Sequence, residues 1–246
     1  MSENIQVKIL EVTGLNVAFA YVGLPMGKIT DPARMKYLPA SAWTDQERVL
    51  TNLISQGDEH AKIMRQVTVH MEITAPRYWW QQFATYRAGV EMYSGSTMHT
   101  IHNRRVTPED FSDRADLGII DLFNDVLVRG DISDTKANLP EGYLQARLVM
   151  VSYQTLRRMW LQRRKHKLGE WHEFIEALHE LPYCEALIFV EPHNPWRELW
   201  QELLDPDKSP WDKWGFCFYC GVPAPGVHDP SCVYHKAKQL LDKEAE

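Results

Sequence analysis

The chain has 246 residues, enough for one large domain or two small ones. Apolar residues make up 44% and charged residues 24%, which excludes a wholly disordered chain, a collagen-like repeat and a disulfide miniprotein. With 27 Lys+Arg against 33 Asp+Glu the formal net charge is −6, so general phosphate-backbone binding is disfavoured, while a local basic patch can still hold a nucleotide. The start, MSENIQVKIL, has no basic stretch leading into an apolar one. The longest apolar runs, such as Ala186–Val190, are far too short to span a bilayer. A cytoplasmic location is the expectation.

The predicted elements run as follows. Residues 5–22 alternate, with Ile5, Val7 and Ile9 on one face and Leu15, Val17, Phe19 and Tyr21 on another; with Thr13-Gly14 between them they predict a β-hairpin. Residues 23–44, with Gly23, Pro25, Gly27, Pro32 and Pro39, predict a loop carrying one helical turn. Thr44 followed by Glu47 marks a helix start, and that helix runs to about Ser55. Val67, Val69, Met71 and Ile73 against Thr68, His70 and Glu72 predict a strand over 67–73. Pro76 opens a helix over 77–88 with Trp79, Phe83 and Tyr86 at helical spacing. Residues 94–106 predict a functional loop or short helix. A helix follows over 109–129, a loop over 130–138, a long helix over 141–168 and another over 172–181. The tail from Trp214 predicts a separate unit ending in a helix over 233–244. No internal repeat is present. The domain boundaries follow as 1–210 for an α+β domain and 211–246 for the tail.

Projected at about 100° per residue, Val149, Ser152, Leu156, Met159 and Trp160 cluster on one side of the long helix with Arg163 among them, whereas Arg157 and Arg164 point to solvent. A guanidinium on a buried face is costly unless an anion or a hydrogen-bond network meets it. Arg163 is therefore a candidate ligand contact, or else the partner of a core carboxylate such as Glu170 or Glu91. Gln82, Tyr86 and Arg87, followed by Ser94, Ser96, Thr97 and His99, form a second polar cluster, suited to a phosphorylated or heteroaromatic ligand or to simple helix capping.

Cys217-Phe-Tyr-Cys220-Gly221 is a CxxC knuckle, and Cys232-Val-Tyr-His235 follows eleven residues later. Two ligand pairs of this spacing fit tetrahedral zinc held by Cys217, Cys220, Cys232 and His235, with His228 as an alternative ligand. With all four positions filled by protein, such a site is structural, and a short segment with little core folds around its metal.

The run Pro76-Arg-Tyr-Trp-Trp-Gln-Gln-Phe-Ala-Thr-Tyr-Arg87 after a strand, followed by a Ser-rich loop, resembles the flavin-dependent thymidylate synthases. Gln82 meets that family's glutamine, and Thr85, Tyr86 and Arg87 fall on its Arg-His-Arg triplet, of which only the last arginine is kept. Further on, Ser152-Tyr-Gln-Thr-Leu156 leads to Arg163, His166 and, after a shift of one residue, Glu170, in the order of the family's second motif. The resemblance spans roughly residues 5–185. It implies an α+β core with a mixed or antiparallel sheet and long helices, FAD as cofactor, and transfer of a methyl or hydroxymethyl carbon from methylenetetrahydrofolate to C5 of dUMP or a related nucleotide. Homotetramers with shared sites are implied as well. Arg163 would polarise the uracil ring, Gln82 orient the nucleotide, and Ser94 or Ser96 approach base or phosphate. Arg87 would face the nucleotide phosphate or the flavin, and Thr85, Tyr86, His99, Arg158 and His166 the flavin. The family lacks a cysteine tail, so the tail is an addition that suits a partner, DNA or a neighbouring subunit. The rival readings are a non-catalytic nucleotide or nucleic-acid binding protein that kept the fold, and a zinc-finger nuclease-like protein suggested by His99, His102, Asn103 and the tail.

Overall fold

Period-two patterning and mutual register build one antiparallel four-stranded sheet, in the order β1-β2-β4-β3. Its strands are β1 (Gln6–Thr13), β2 (Thr68–Pro76), β3 (Val90–Ser94) and β4 (Leu144–Ser152). In the computed structural model the described residues are 4–29, 31, 44–194, 214, 216–217, 219–223 and 227–245, with side chains described as far as 239. The chain divides into two compact units, Met1–Pro192 and His193–Glu246. Among the described residues no helix is long and apolar enough to cross a membrane.

β2 holds the centre with β4. Val69, Met71 and Ile73 are fully buried, and Val69 and Met71 face Val151 and Val149 across the ladder. The alternation in 67–73 thus reports a sheet with one face on the core. Two expectations fail in instructive ways. Residues 15–21 are helix α1 (Leu15–Tyr21), not the second arm of a hairpin. Leu15, Phe19 and Val22 are spaced i, i+4, i+7 as well as alternating with their neighbours, and burying Ala18, Phe19 and Ala20 together decides for the helix. Gly14 makes the turn at φ +85°; a Cβ there would sit 2.0 Å from the Gln66 carbonyl oxygen.

The second failure is the long helix over 141–168, which divides into β4 and α7 (Tyr153–Arg163). Leu144, Gln145, Ala146, Arg147, Leu148 and Met150 are residues of high helix propensity, and pairing with β2 on one side and β3 on the other overrides it. The other elements shift at their ends. α2 (Thr44–Ser55) forms as expected. Helix α3 (Arg77–Phe83) stops five residues early, and residues 94–106 hold the end of β3 and the single turn α4 (Thr97–Thr100). Helix α5 (Leu117–Arg129) begins only where Asp116 caps it, accepting from Gly118 N at 2.8 Å. The expected loop over 130–138 contains α6 (Ile132–Asn138), started by an Asp131/Asp134 capping box. After α7 come α8 (Gly169–Ala177) and the short α9 (Cys184–Leu187), and the tail ends in α10 (Val233–Ala245). The helical turn expected over 23–44 is a 3-10 turn at Leu24–Met26; residues 30, 32–43 and 195–213 lie outside the described set.

Aromatic rings fill the space between sheet and helices. Trp79 packs against Trp80, Phe83, Trp171 and Phe174 with centroids 4.9–5.5 Å apart, joining α3 to α8. A smaller cluster around Phe111, Ile120 and Phe123 holds α5. Trp79 is fully buried and touches Trp80, Phe83, Trp171 and Phe174. Trp79→Ala is expected to cost about 3–5 kcal/mol, read as a lowered urea midpoint; a loss below about 1 kcal/mol would show that the cluster is not the core of this unit.

Candidate functional site

Topology brings distant residues together. β2 delivers α3 at the Pro76/Leu144 end of the sheet, and the antiparallel β4 delivers α7 at the Thr68/Ser152 end. The 11 residues of α7 rise about 16 Å at about 1.5 Å each, so its last residue, Arg163, returns to α3. Ser152 starts the helix, its Oγ accepting from Thr155 N at 3.3 Å. The Thr155 hydroxyl donates to the Ala88 carbonyl at 2.7 Å and ties the turn after α3 to the start of α7. Gly89, at φ +69°, makes that approach possible: a Cβ there would lie 2.7 Å from Ser152 Oγ.

At the meeting point Arg163 Nε donates to the Tyr86 hydroxyl at 3.0 Å, and Nη1 donates to Gln82 Oε1 at 3.3 Å. The guanidinium carbon lies 4.8 Å from the Trp171 ring centroid and 5.7 Å from that of Tyr86. Trp171 Nε1 donates to the same Gln82 oxygen at 2.9 Å, and Tyr86 donates onward to Gln162 Oε1 at 2.8 Å. Among the described residues Arg163 therefore bonds neutral oxygens and neither Glu170 nor Glu91. It is half-buried, covered by rings from α8 and from the turn after α3. His166 stands beside it, its ring edge toward Trp171 at 6.3 Å and its Nδ1 accepting from Leu168 N at 3.2 Å. Partial burial, then the Arg163 charge, holds its pKa below the ordinary value, so the ring is neutral at pH 7.

The remaining sequence candidates lie around this centre. The Thr85 hydroxyl donates to the Gln82 carbonyl at 2.7 Å, and Arg87 is exposed. Ser94 ends β3 opposite Arg147, while Ser96 and His99 belong to the turn of α4; all three are exposed, and no contact among the described residues joins them to Arg163. Arg158 is engaged elsewhere, Nε donating to Asp58 Oδ2 at 2.5 Å. Arg164 is exposed and pairs with Glu191, but Arg157 does not reach solvent: it is 3% exposed, donates to the Val190 carbonyl at 3.0 Å and lies 3.7 Å from Asp58. The first turns of α7 are buried on more than one side, at Tyr153, Gln154, Thr155, Leu156 and Arg157, so a projection with a single buried stripe missed Arg157. Sequence reasoning also missed Trp171, and Tyr78, whose hydroxyl donates to Glu170 Oε1.

In the tail, the ligand atoms of Cys217, Cys220, His228 and Cys232 all lie within 4.8 Å of one another. His228, the alternative in the sequence reading, completes the set; His235 lies on α10 with Nε2 2.8 Å from Gln239 Nε2. Sγ of Cys217 and Cys232 are 4.0 Å apart, and His228 Nδ1 is 3.5 Å from Cys220 Sγ and 3.6 Å from Cys232 Sγ. These are near the edges of a tetrahedron with metal–sulfur bonds of about 2.3 Å, roughly 3.8 Å between sulfurs. The knuckle is closed by Tyr219 N donating to Cys217 Sγ at 3.4 Å and by Gly221 at φ +67°. The Val222 backbone amide, then His228, lowers the Cys220 pKa to about 6, which favours the thiolate a metal needs. The tail is thus a Cys/His cluster able to bind a metal.

Burial and the adjoining Glu170 carboxylate hold the Tyr78 phenol well above the ordinary tyrosine range. The unfolded chain releases that proton near pH 10 while the folded chain keeps it, so unfolding gains as pH rises past about 10. Urea midpoints between pH 8 and 11 are expected to fall above pH 10, and to fall less in Tyr78→Phe; an equal fall in both would remove this pair as the cause.

No family model matches the chain, and no curated protein matches it in sequence. Solved structures do match in fold. The flavin-dependent thymidylate synthase ThyX of Helicobacter pylori, complexed with FAD and dUMP, superposes with a TM-score of 0.61 at 14% identity, covering 76% of this chain and 99% of the ThyX chain. A second structure of Helicobacter pylori ThyX with FAD and dUMP gives a TM-score of 0.61 at 13% identity over 77% of this chain and all of its own. The chain therefore has a ThyX-like α+β fold, with a metal-competent Cys/His cluster near its C-terminus.

Proposed function

We propose that this chain is a flavin-dependent transferase that moves a one-carbon unit from methylenetetrahydrofolate to C5 of dUMP or a related pyrimidine deoxynucleotide. The observation that carries this reading is the meeting of Arg163 with Gln82 and Tyr86, 81 and 77 residues away in sequence. The two segments that resemble the family's motifs close on each other, in a fold shared with ThyX.

Uracil C5 is a weak nucleophile until electron density builds on the ring and its carbonyl oxygens. A guanidinium fixed in advance stabilises that charge without reorganising during the reaction. Arg163 is held in this way by Gln82, Tyr86 and the Trp171 face; among the described residues Nε and Nη1 are used, and Nη2 is left as donor for a ligand oxygen. Gln82 spends its oxygen on Arg163 and Trp171, so its amide N–H groups serve to orient the nucleotide. Neutral His166 can accept a proton or a hydrogen bond beside this centre. Arg87, exposed and without a partner among the described residues, suits a nucleotide or flavin phosphate, and the Tyr86 ring suits a flat ligand. Bound flavin supplies the electron transfer. Replacement of two basic motif positions by Thr85 and Tyr86 leaves Arg87 as the cation of that triplet. Assembly as a homotetramer is part of the reading, and an outer sheet face supports it: Tyr93 and Leu148 are direct cross-strand neighbours and are 80% and 44% exposed. In the tail the reading places a structural zinc on Cys217, Cys220, His228 and Cys232.

Purified protein is expected to carry or take up flavin, seen as yellow absorbance, and to bind dUMP by calorimetry; colourless protein that ignores added FAD overturns the reading. Arg163→Ala should lower kcat/KM by about 10²–10³ with the fold retained by circular dichroism, and full activity in that variant removes Arg163 from the mechanism. Metal analysis should return about one zinc per chain. Cys220→Ser or a chelator should lose it and expose the tail to protease, whereas a metal-free protein with a protected tail would refute the site.

A further inference from the structure

A second group of metal-competent donors lies in the first unit, just past the end of α8. The 3-10 turn Leu178–Glu180 carries His179, and the chain then reverses through Pro182 and Tyr183 before α9 begins at Cys184. Tyr183 makes that reversal at φ +58°, a conformation few side chains adopt, and it sets Cys184 and Glu185 against His179. His179 Nδ1 lies 2.8 Å from Glu185 Oε1, and the Cys184 thiol donates to the His179 carbonyl at 3.4 Å. The imidazole nitrogen, the sulfur and the carboxylate oxygen all lie within 4.8 Å of one another. The His179 ring packs on Phe189 with centroids 4.3 Å apart, which fixes its direction. Cys184 is buried, whereas His179 and Glu185 are exposed, so the sulfur forms the floor of the cluster. His179 also lines a groove of about 490 Å³ whose other charged lining residues are Glu173, Glu176 and Glu180; no lysine or arginine lines it. The field along that groove draws cations toward His179.

We propose that His179, Cys184 and Glu185 form a second metal site, separate from the tail cluster, that takes a zinc-class divalent ion and leaves one coordination position open. The donor set decides the class of ion. Magnesium and calcium take oxygen ligands, whereas an imidazole and a thiolate together suit zinc and its neighbours. Three protein ligands leave a fourth position for water or an outside donor, while the tail supplies four ligands of its own. The change in geometry is small. Bonds of about 2.0–2.3 Å in a tetrahedron place the donors roughly 3.3–3.8 Å apart, so the His179–Glu185 contact opens by about half an ångström. The Glu185 side chain is 72% exposed and free to make that adjustment. The cation takes the place of the proton between His179 and Glu185, and it displaces the thiol proton of Cys184 to solvent. Burial and the Glu185 carboxylate push the Cys184 thiol up, so without metal the sulfur is a neutral thiol and not a reactive thiolate. With metal, thiolate and carboxylate together cancel the charge of the dication. The site stands on its own geometry and does not depend on the one-carbon reading.

The test is a titration of the full chain, as purified, with Co²⁺ as a coloured stand-in for zinc. Uptake of about one Co²⁺ at this site is expected, with a sulfur-to-cobalt charge-transfer absorption that added Zn²⁺ bleaches. Cys184→Ser should lose that absorption, and Glu185→Gln and His179→Ala should each weaken Co²⁺ binding at least about tenfold, with folds checked by circular dichroism. The absorption lost in Cys184→Ser should persist in Cys220→Ser, which separates this site from the tail. If Cys184→Ser does not fold, the two surface variants decide. No Co²⁺ uptake, uptake without a thiolate band, a band unchanged in folded Cys184→Ser, or undiminished binding in both surface variants overturns the proposal. Loss of the whole band in Cys220→Ser assigns it to the tail and overturns the proposal as well.

Discussion

One oxygen organises the centre of this molecule. Gln82 Oε1 accepts from Arg163 and from Trp171 at once, and so binds α7 to α8 through a residue of α3. Without it the guanidinium would lose a partner in a half-buried setting, and the indole N–H of a fully buried tryptophan would be orphaned. The ring that covers Arg163 is also a member of the aromatic cluster that closes the core. Positioning and stability are therefore coupled: the rigidity of the Trp79–Trp171 cluster is what holds the cation still.

Arg163 and Glu170 both act on the charge of His166, yet among the described residues they do not pair with each other. Arg163 is met by neutral oxygens and Glu170 by a phenol. Each keeps part of its hydrogen-bonding capacity, which distinguishes this arrangement from Arg158 and Asp58, where the charges meet directly at 2.5 Å. An ion pair that satisfies itself is structural.

Much of this was legible in the sequence, and the reasons for success and failure differ by element. β2 was readable because its alternation is strict and its buried face is continuous. Helix α2 was readable from the Thr44/Glu47 pattern at its start. β4 was not: its residues favour a helix, and only its place between β2 and β3 makes it a strand. Arg163 was singled out as an arginine that needed a partner, although its cover comes from other elements and the more deeply buried arginine is Arg157. The cysteine spacing marked the metal-competent cluster, but the choice between His228 and His235 depended on the path of the loop. The Tyr78–Glu170 contact joins positions 92 residues apart and left no local trace.

The strand order has a bearing on how the chain reaches this state. Gln6 pairs with Thr74, Thr68 with Ser152 and Val90 with Val151, so no two neighbouring strands are joined by a short hairpin. Each pairing must close a long loop before its contacts repay the lost entropy, which makes for high contact order and slow folding. During synthesis β2 and β3 emerge well before β4, and each then presents an unpaired edge with an apolar face. The interval between their emergence and the arrival of β4 is when the nascent chain is most open to aggregation and most in need of a chaperone.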